Sequence, residues 1–381
     1  MAENNRTPHN NKQTAPIITG AERTDVYLPL LQNMNIAVVS NHTSLVGKTH
    51  LVDTLVALGI RVKKIFSPEH GFRGDAAAGE HVISGVDIKT GLPVVSLYGN
   101  KKKPAHSDLH GIELVIYDIQ DVGVRFYTYI STMTLMMEAC AEQNIPVIIF
   151  DRPNPNGFYV DGPVLENGFE SFVGMHPVPV VYGMTIGEYA LMVNGEGWLK
   201  GGLKCELKVI EVLSYQHTTL YHLPVKPSPN LATMEAVYLY PSLCFFEGTF
   251  LSVGRGTPKP FQWVGHPNFL PGKLRFTPVN TPGAALNPVL IGQECRGIDY
   301  TFLVDSILQH KRLYLEPLIE AASFFSDNPG FFNSYFNILA GNCALQKQIQ
   351  SKMSLDEIKK EWNDSLEAFH SIRKKYLLYP E

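Results

Sequence analysis

The stretch that decides the fold runs from residue 112 to 153 and divides into "IELVIYDIQD" (112–121), "YTYISTMTLMMEACAEQN" (127–144) and "IPVIIFDRP" (145–153). The outer pieces are short apolar runs that meet acids at their ends, and the middle piece is long enough to be a helix. Strand, helix and strand in this order make a crossover unit. Strands that are apolar on both faces belong to a parallel sheet covered by helices. The same alternation extends toward the N-terminus. "NIAVVSN" (35–41) predicts a strand, "THLVDTLVALG" (49–59) a helix closed by Gly59, and "RVKKIFS" (61–67) and "LPVVSLYG" (92–99) two further strands. Toward the C-terminus follow a helix in "TIGEYALMVNGEGWL" (185–199) and a strand in "LKCELKVIEV" (203–212). Proline and glycine are frequent after residue 246, and from about 293 helical segments run to the end. The expected fold is α/β: a Rossmann-like N-terminal domain with a mainly parallel sheet over 25–260, and a smaller α+β domain over 261–381. A polar leader, 1–24, is expected to be disordered.

A chain of 381 residues is long enough for two domains, and 45% hydrophobic with 18% charged residues is ordinary for a soluble globular protein. A formal charge of -4 gives no basic footprint, which argues against nucleic acid or an anionic membrane as partner. No apolar run reaches the length of a membrane span. The short basic runs Lys101–Lys103 and Arg373–Lys375 read as solvated surface. The five cysteines are scattered without a CxxC, so neither a disulfide framework nor a zinc knuckle is indicated. "SLVGKTH" ends like a phosphate-binding loop, but His42 stands where that loop needs its first glycine.

In an open parallel sheet, ligands bind beyond the carboxyl ends of the strands. Here those ends carry Ser40-Asn41-His42, Ser67-Pro68-Glu69-His70, Asp118 with Asp121 and Arg125 just beyond, and Asp151-Arg152. Each has a plain structural alternative: Asn41 as a turn or cap former, Asp151-Arg152 as a local ion pair, Asp118 as a holder of loop amides. Glu69 is harder to dismiss, because Pro68 and Gly71 fix its direction more rigidly than a solvated carboxylate needs. A metal-dependent hydrolase using His42 and His70 is one alternative, although no HxH, HExxH or DxD pairing supports it. Glycoside cleavage is the other, since it needs a carboxylic acid to protonate the leaving oxygen and usually a second carboxylate opposite. Phe66 and Phe72 on either side of Glu69 would raise its pKa by disfavouring the charged form. Tyr98, Phe126, Tyr127, Tyr129 and Phe158 near the strand ends are candidates to stack on sugar rings.

The chain resembles the NamZ-type exo-β-N-acetylmuramidases, glycoside hydrolases that remove terminal N-acetylmuramic acid from peptidoglycan fragments. The matching segments include "SNHTSL" (40–45), "FSPEHGFRG" (66–74), "YDIQDVGVRFYTYISTM" (117–133), "DRPNPNG" (151–157), "PSPNL" (227–231), "YPSLCFFEGT" (240–249) and "SVGRGT" (252–257). The resemblance implies a Rossmann-like domain followed by a smaller one, with the site in the cleft between them. It implies Glu69 as catalytic acid, no cofactor, and muropeptides or disaccharides as partners in a periplasmic or exported setting; a non-catalytic muropeptide-binding protein is the remaining alternative. Asp118, Asp121 and Glu247 are candidates for the second carboxylate, unless the substrate's own acetamido group supplies the nucleophile. Arg73, Arg125 and Arg255 are candidates for the substrate's lactyl carboxylate, with Arg125 favoured. Asn41, His70, Tyr127, Asn230 and Glu247 are expected to contact the sugar. Two departures from the family pattern stand out: Ala232 in place of an expected Pro, and Phe250 where Asn is usual.

Overall fold

A computed structural model describes residues 15–73 and 84–381. Its central sheet has seven strands: Asn35–Ser40, Arg61–Ser67, Gly85–Val86, Pro93–Ser96, Leu114–Asp118, Val147–Phe150 and Leu207–Ile210. The six parallel strands lie in the spatial order 93, 61, 35, 114, 147, 207, by first residue. The two-residue strand Gly85–Val86 pairs antiparallel at the outer edge. Counted along the chain without that edge strand, the order is 3-2-1-4-5-6. This is the doubly wound arrangement, and its winding reverses between the strands beginning at 35 and 114.

The apolar runs form this sheet because successive residues face opposite sides and both sides are covered. Ile36, Val38, Ile65, Ile116 and Ile148 pack one face, against Tyr27 and helix Leu51–Ala57. Ala37, Val39, Phe66, Val115, Val147 and Ile149 pack the other, against helices Tyr129–Ala141 and Ile186–Gly195. Each fully buried Ile or Phe among them contributes about 1.5–3 kcal/mol relative to exposure. Thr185 opens helix Ile186–Gly195 with a reciprocal cap, its hydroxyl accepting from the Glu188 amide while the Glu188 carboxylate accepts from the Thr185 amide.

The second face's core continues without a break into the C-terminal segments, where Phe245, Phe246, Phe336, Leu345 and Phe369 belong to the same cluster. The smaller C-terminal domain has a three-stranded antiparallel sheet, with Cys295–Asp299 between Trp263–His266 and Leu274–Phe276, followed by helices. Of the expected leader, residues 1–14 lie outside the described residues. The chain is already tied down at Ile18, which exchanges backbone hydrogen bonds with Leu213, and Ala21 is fully buried. Among the described residues no helix is long and apolar enough to cross a membrane.

Candidate active site

Strand Arg61–Ser67 ends at Pro68, and the chain turns sharply. His70 (φ 69°) and Gly71 (φ 77°) are consecutive left-handed residues, and the Gly71 amide bonds back to the Pro68 carbonyl at 3.2 Å. A left-handed histidine costs on the order of 1 kcal/mol and persists only where its surroundings fix it. Those surroundings are visible behind the turn. The His50 ring packs edge-on against Phe72 at 4.7 Å and bonds the Asn41 carbonyl through Nε2 at 2.8 Å. Burial pulls the His50 pKa down to about 4, so the ring is neutral and Nε2 donates. Arg73 is held by Asp53 at 3.2 Å and Asp87 at 2.8 Å. The turn is thereby braced from behind, and Glu69 is presented forward.

Glu69 is half-buried, and the Thr128 hydroxyl donates to its Oε2 at 3.2 Å. Three cavities open onto this carboxyl. An inner one is walled by Phe126, Tyr127, Tyr129, Asn230, Tyr240 and Phe261. A wide one, about 1110 Å³ of space continuous with solvent, adds Tyr98, Lys102, Phe172, Glu247, Arg255 and Tyr335. A third extends along Leu251, Ser252, Leu286, Pro288 and Val289. The strand-end loops supply one side of this cleft, and the segments after residue 240 supply the other.

The walls are built of aromatic rings packed on one another. Tyr240 packs edge-on against Phe126 at 5.4 Å and Phe261 at 4.8 Å, and Tyr127 against Tyr129 at 4.8 Å. Such aromatic surfaces present apolar faces with polar tips, as sugar rings do. Arg255 Nε donates to Glu247 Oε1 at 2.5 Å, and its guanidinium lies 4.8 Å over the Phe261 ring. Burial pushes the Tyr335 phenol well up, so it stays a hydroxyl in the cavity that Glu69 and Glu247 also line.

Of the residues nominated from sequence, Glu69, His70, Tyr127, Asn230, Glu247 and Arg255 line these cavities. Asn41, Arg73, Asp118, Asp121 and Arg125 line none of the three. Asn41 closes a local turn, its Oδ1 accepting from the Thr43 amide at 2.9 Å and hydroxyl at 2.6 Å. Asp118 is fully buried and held by Arg152 through two bonds of 2.6 and 2.9 Å. Asp121 accepts from the Gly123 amide at 2.7 Å and from the Tyr182 hydroxyl, and burial pushes its carboxyl up to about 6. Arg125, favoured as the carboxylate clamp, is fully buried instead. It donates to the carbonyls of Pro163, Val178, Leu339 and Ala340 at 2.7–2.9 Å. For the metal alternative, His42 bonds the Lys226 carbonyl at 2.9 Å, and among the described residues no group of three or more His, Cys, Asp or Glu side chains is placed to hold a metal ion. Phe158 packs against Tyr159 and Tyr238 and lines none of the three cavities.

Sequence reasoning missed Thr128, Tyr240, Tyr335, Lys102 and Phe172. Thr128 and Tyr240 sit inside quoted motifs and were legible there as polar residues between core aromatics. Tyr335 and Phe172 come from segments with no local signal, and Lys102 from a basic run read as solvated surface.

Two carboxyls, Glu69 and Glu247, thus line one aromatic-walled cleft, the pair of groups that glycoside hydrolysis uses. The chain belongs to the exo-β-N-acetylmuramidase NamZ family: residues 36–235 match the family's N-terminal domain and residues 238–379 its C-terminal domain. It is 38% identical over 336 residues to the peptidoglycan β-N-acetylmuramidase NamZ of Bacillus subtilis, covering 84% of this chain and 80% of that protein. A crystal structure of a DUF1343-family protein from Bacteroides fragilis superimposes with a TM-score of 0.90 at 46% identity, covering 96% of this chain and all of that one. A second DUF1343-family structure from the same organism gives 0.78 at 26% identity, covering 95% and 99%.

Proposed function

We propose that this protein is an exo-acting hydrolase that releases terminal β-linked N-acetylmuramic acid from peptidoglycan fragments, with Glu69 as general acid. The observation that carries the reading is the convergence of three cavities on one half-buried carboxyl, presented by a strained turn at the end of the second strand. Family membership and the activity named for the Bacillus subtilis relative supply the substrate.

Protonation of the glycosidic oxygen by Glu69 lets the aglycone leave as an alcohol while positive charge develops at the anomeric carbon; a water then supplies the new C–O bond there and its proton restores the acid. Glu247 is the second carboxylate lining the cleft, held by Arg255 at 2.5 Å. Asp118 and Asp121 line none of the three cavities and are held by Arg152 and by Gly123 and Tyr182, so the second-carboxylate role falls to Glu247. Muropeptides and disaccharides ending in N-acetylmuramic acid are the substrates, and a periplasmic or exported setting is the one we infer for the enzyme. Cell fractionation tests that placement, and a wholly cytoplasmic pool would contradict it.

The functional test is release of N-acetylmuramic acid from a β-linked disaccharide by wild type and Glu69→Gln, with folding checked by circular dichroism. General acid catalysis is worth about 10²–10⁴-fold, so the variant should lose at least two orders of magnitude. Near-wild-type turnover by a folded Glu69→Gln would remove the assignment.

A further inference from the structure

The substrate proposed above carries a lactyl carboxylate, and the arginines that sequence would give it already have partners, Arg255 within the cleft itself. Arg73 is tied to Asp53 and Asp87, Arg125 to four carbonyls, and Arg255 to Glu247. The wide cavity beside Glu69 holds one further cation, Lys102. Its neighbours in the lysine triplet are both neutralised: Lys101 by Asp108 at 2.5 Å, and Lys103 by Glu138 at 3.1 Å and Glu142 at 2.7 Å. Lys102 has no ion pair among the described residues. Its ammonium instead lies 4.5 Å over the ring of Phe172, which lines the same cavity. An aromatic face steadies a cation without neutralising it, leaving the charge for an incoming anion.

The geometry points to Lys102, steadied by Phe172, as the residue that receives the carboxylate of the muramyl lactyl ether and so distinguishes N-acetylmuramic acid from N-acetylglucosamine. The inference rests on the muramyl-hydrolase reading above, and it deepens it. Lys102 stands at the exposed rim of the cleft. A pair formed there is worth no more than about 1 kcal/mol, or roughly fivefold in affinity, and is screened by salt.

The test is calorimetric binding of N-acetylmuramic acid and its lactyl methyl ester to wild type, Lys102→Gln, Lys102→Arg and the control Lys101→Gln, with hydrolysis measured in parallel. Wild type, Lys102→Arg and Lys101→Gln should prefer the acid by about fivefold, less at high salt, while Lys102→Gln binds acid and ester alike. The inference is overturned if Lys102→Gln keeps the preference, if it weakens acid and ester equally, or if wild type shows no preference. A wild type with a Lys102-dependent preference that nonetheless hydrolyses no muraminide would refute the catalytic reading and leave this one standing.

Discussion

Replacing Arg125 with methionine should destabilise the protein and leave substrate affinity intact. The guanidinium is fully buried, burial pulls its pKa down to about 9, and its partners are carbonyls. Two of these carbonyls, from Leu339 and Ala340, end helix Tyr335–Ala340, where the last carbonyls lack intrahelical donors and the helix dipole is negative. Arg125 therefore fastens the segment carrying Tyr335 to the loop after the fourth parallel strand. Four bonds to a charged donor at about 1.5–3 kcal/mol each give too large a sum, because removing the cation also recovers the cost of burying it. A net loss of about 3–5 kcal/mol is expected. An unfolding entropy of roughly 2.1 cal/mol/K per residue over the 381-residue chain turns this into a Tm decrease of about 4–6 °C. Thermal denaturation followed by circular dichroism measures the shift, and saturation kinetics at 20 °C below Tm measures KM. An unchanged Tm with KM raised tenfold or more would refute this reasoning and restore Arg125 as a substrate clamp.

Thr128→Val removes the hydroxyl that bonds Glu69 and should lower kcat by about 2- to 10-fold with little change in KM, the worth of one hydrogen bond; no change in kcat would show the bond to be incidental. Glu247→Gln should lower kcat by two orders of magnitude or more if Glu247 is the second carboxylate, and a loss within threefold in stopped assays would assign that role elsewhere. The pKa of His50 is depressed to about 4 in the folded state against about 6.5 unfolded, so its contribution is fully present above pH 6.5 and is lost as pH falls toward 4. The stability advantage of wild type over His50→Gln should shrink accordingly by up to about 3 kcal/mol, read from denaturant midpoints. An advantage constant across that range would contradict it.

The sheet was legible because its strands are continuous apolar runs separated by helices, a pattern that leaves a covered parallel sheet as the consistent packing. The approximate position of the site followed from the polar strand ends. Which of those ends faces the cleft did not, because strand-end residues of one chemical type divide between site and scaffold according to their partners. Asp118 meets Arg152 and is lost to the core, while Glu69 meets only a threonine hydroxyl among the described residues. Arg125 looked like a substrate clamp because its four carbonyl acceptors lie 38 to 215 residues away along the chain. Lys102 read as solvated surface because a basic triplet shows no partner locally, and Phe172, which sets it apart, is remote in sequence.

The most direct measurement of Glu69's role is the dependence of its loss on the leaving group. The folded Glu69→Gln variant should fall by about 10²-fold or more on a β-muramyl disaccharide, whose sugar alkoxide cannot leave unprotonated. On the 2,4-dinitrophenyl β-muraminide, whose phenolate leaves without a proton, the loss should be far smaller. Equal losses on both substrates would contradict proton donation by Glu69.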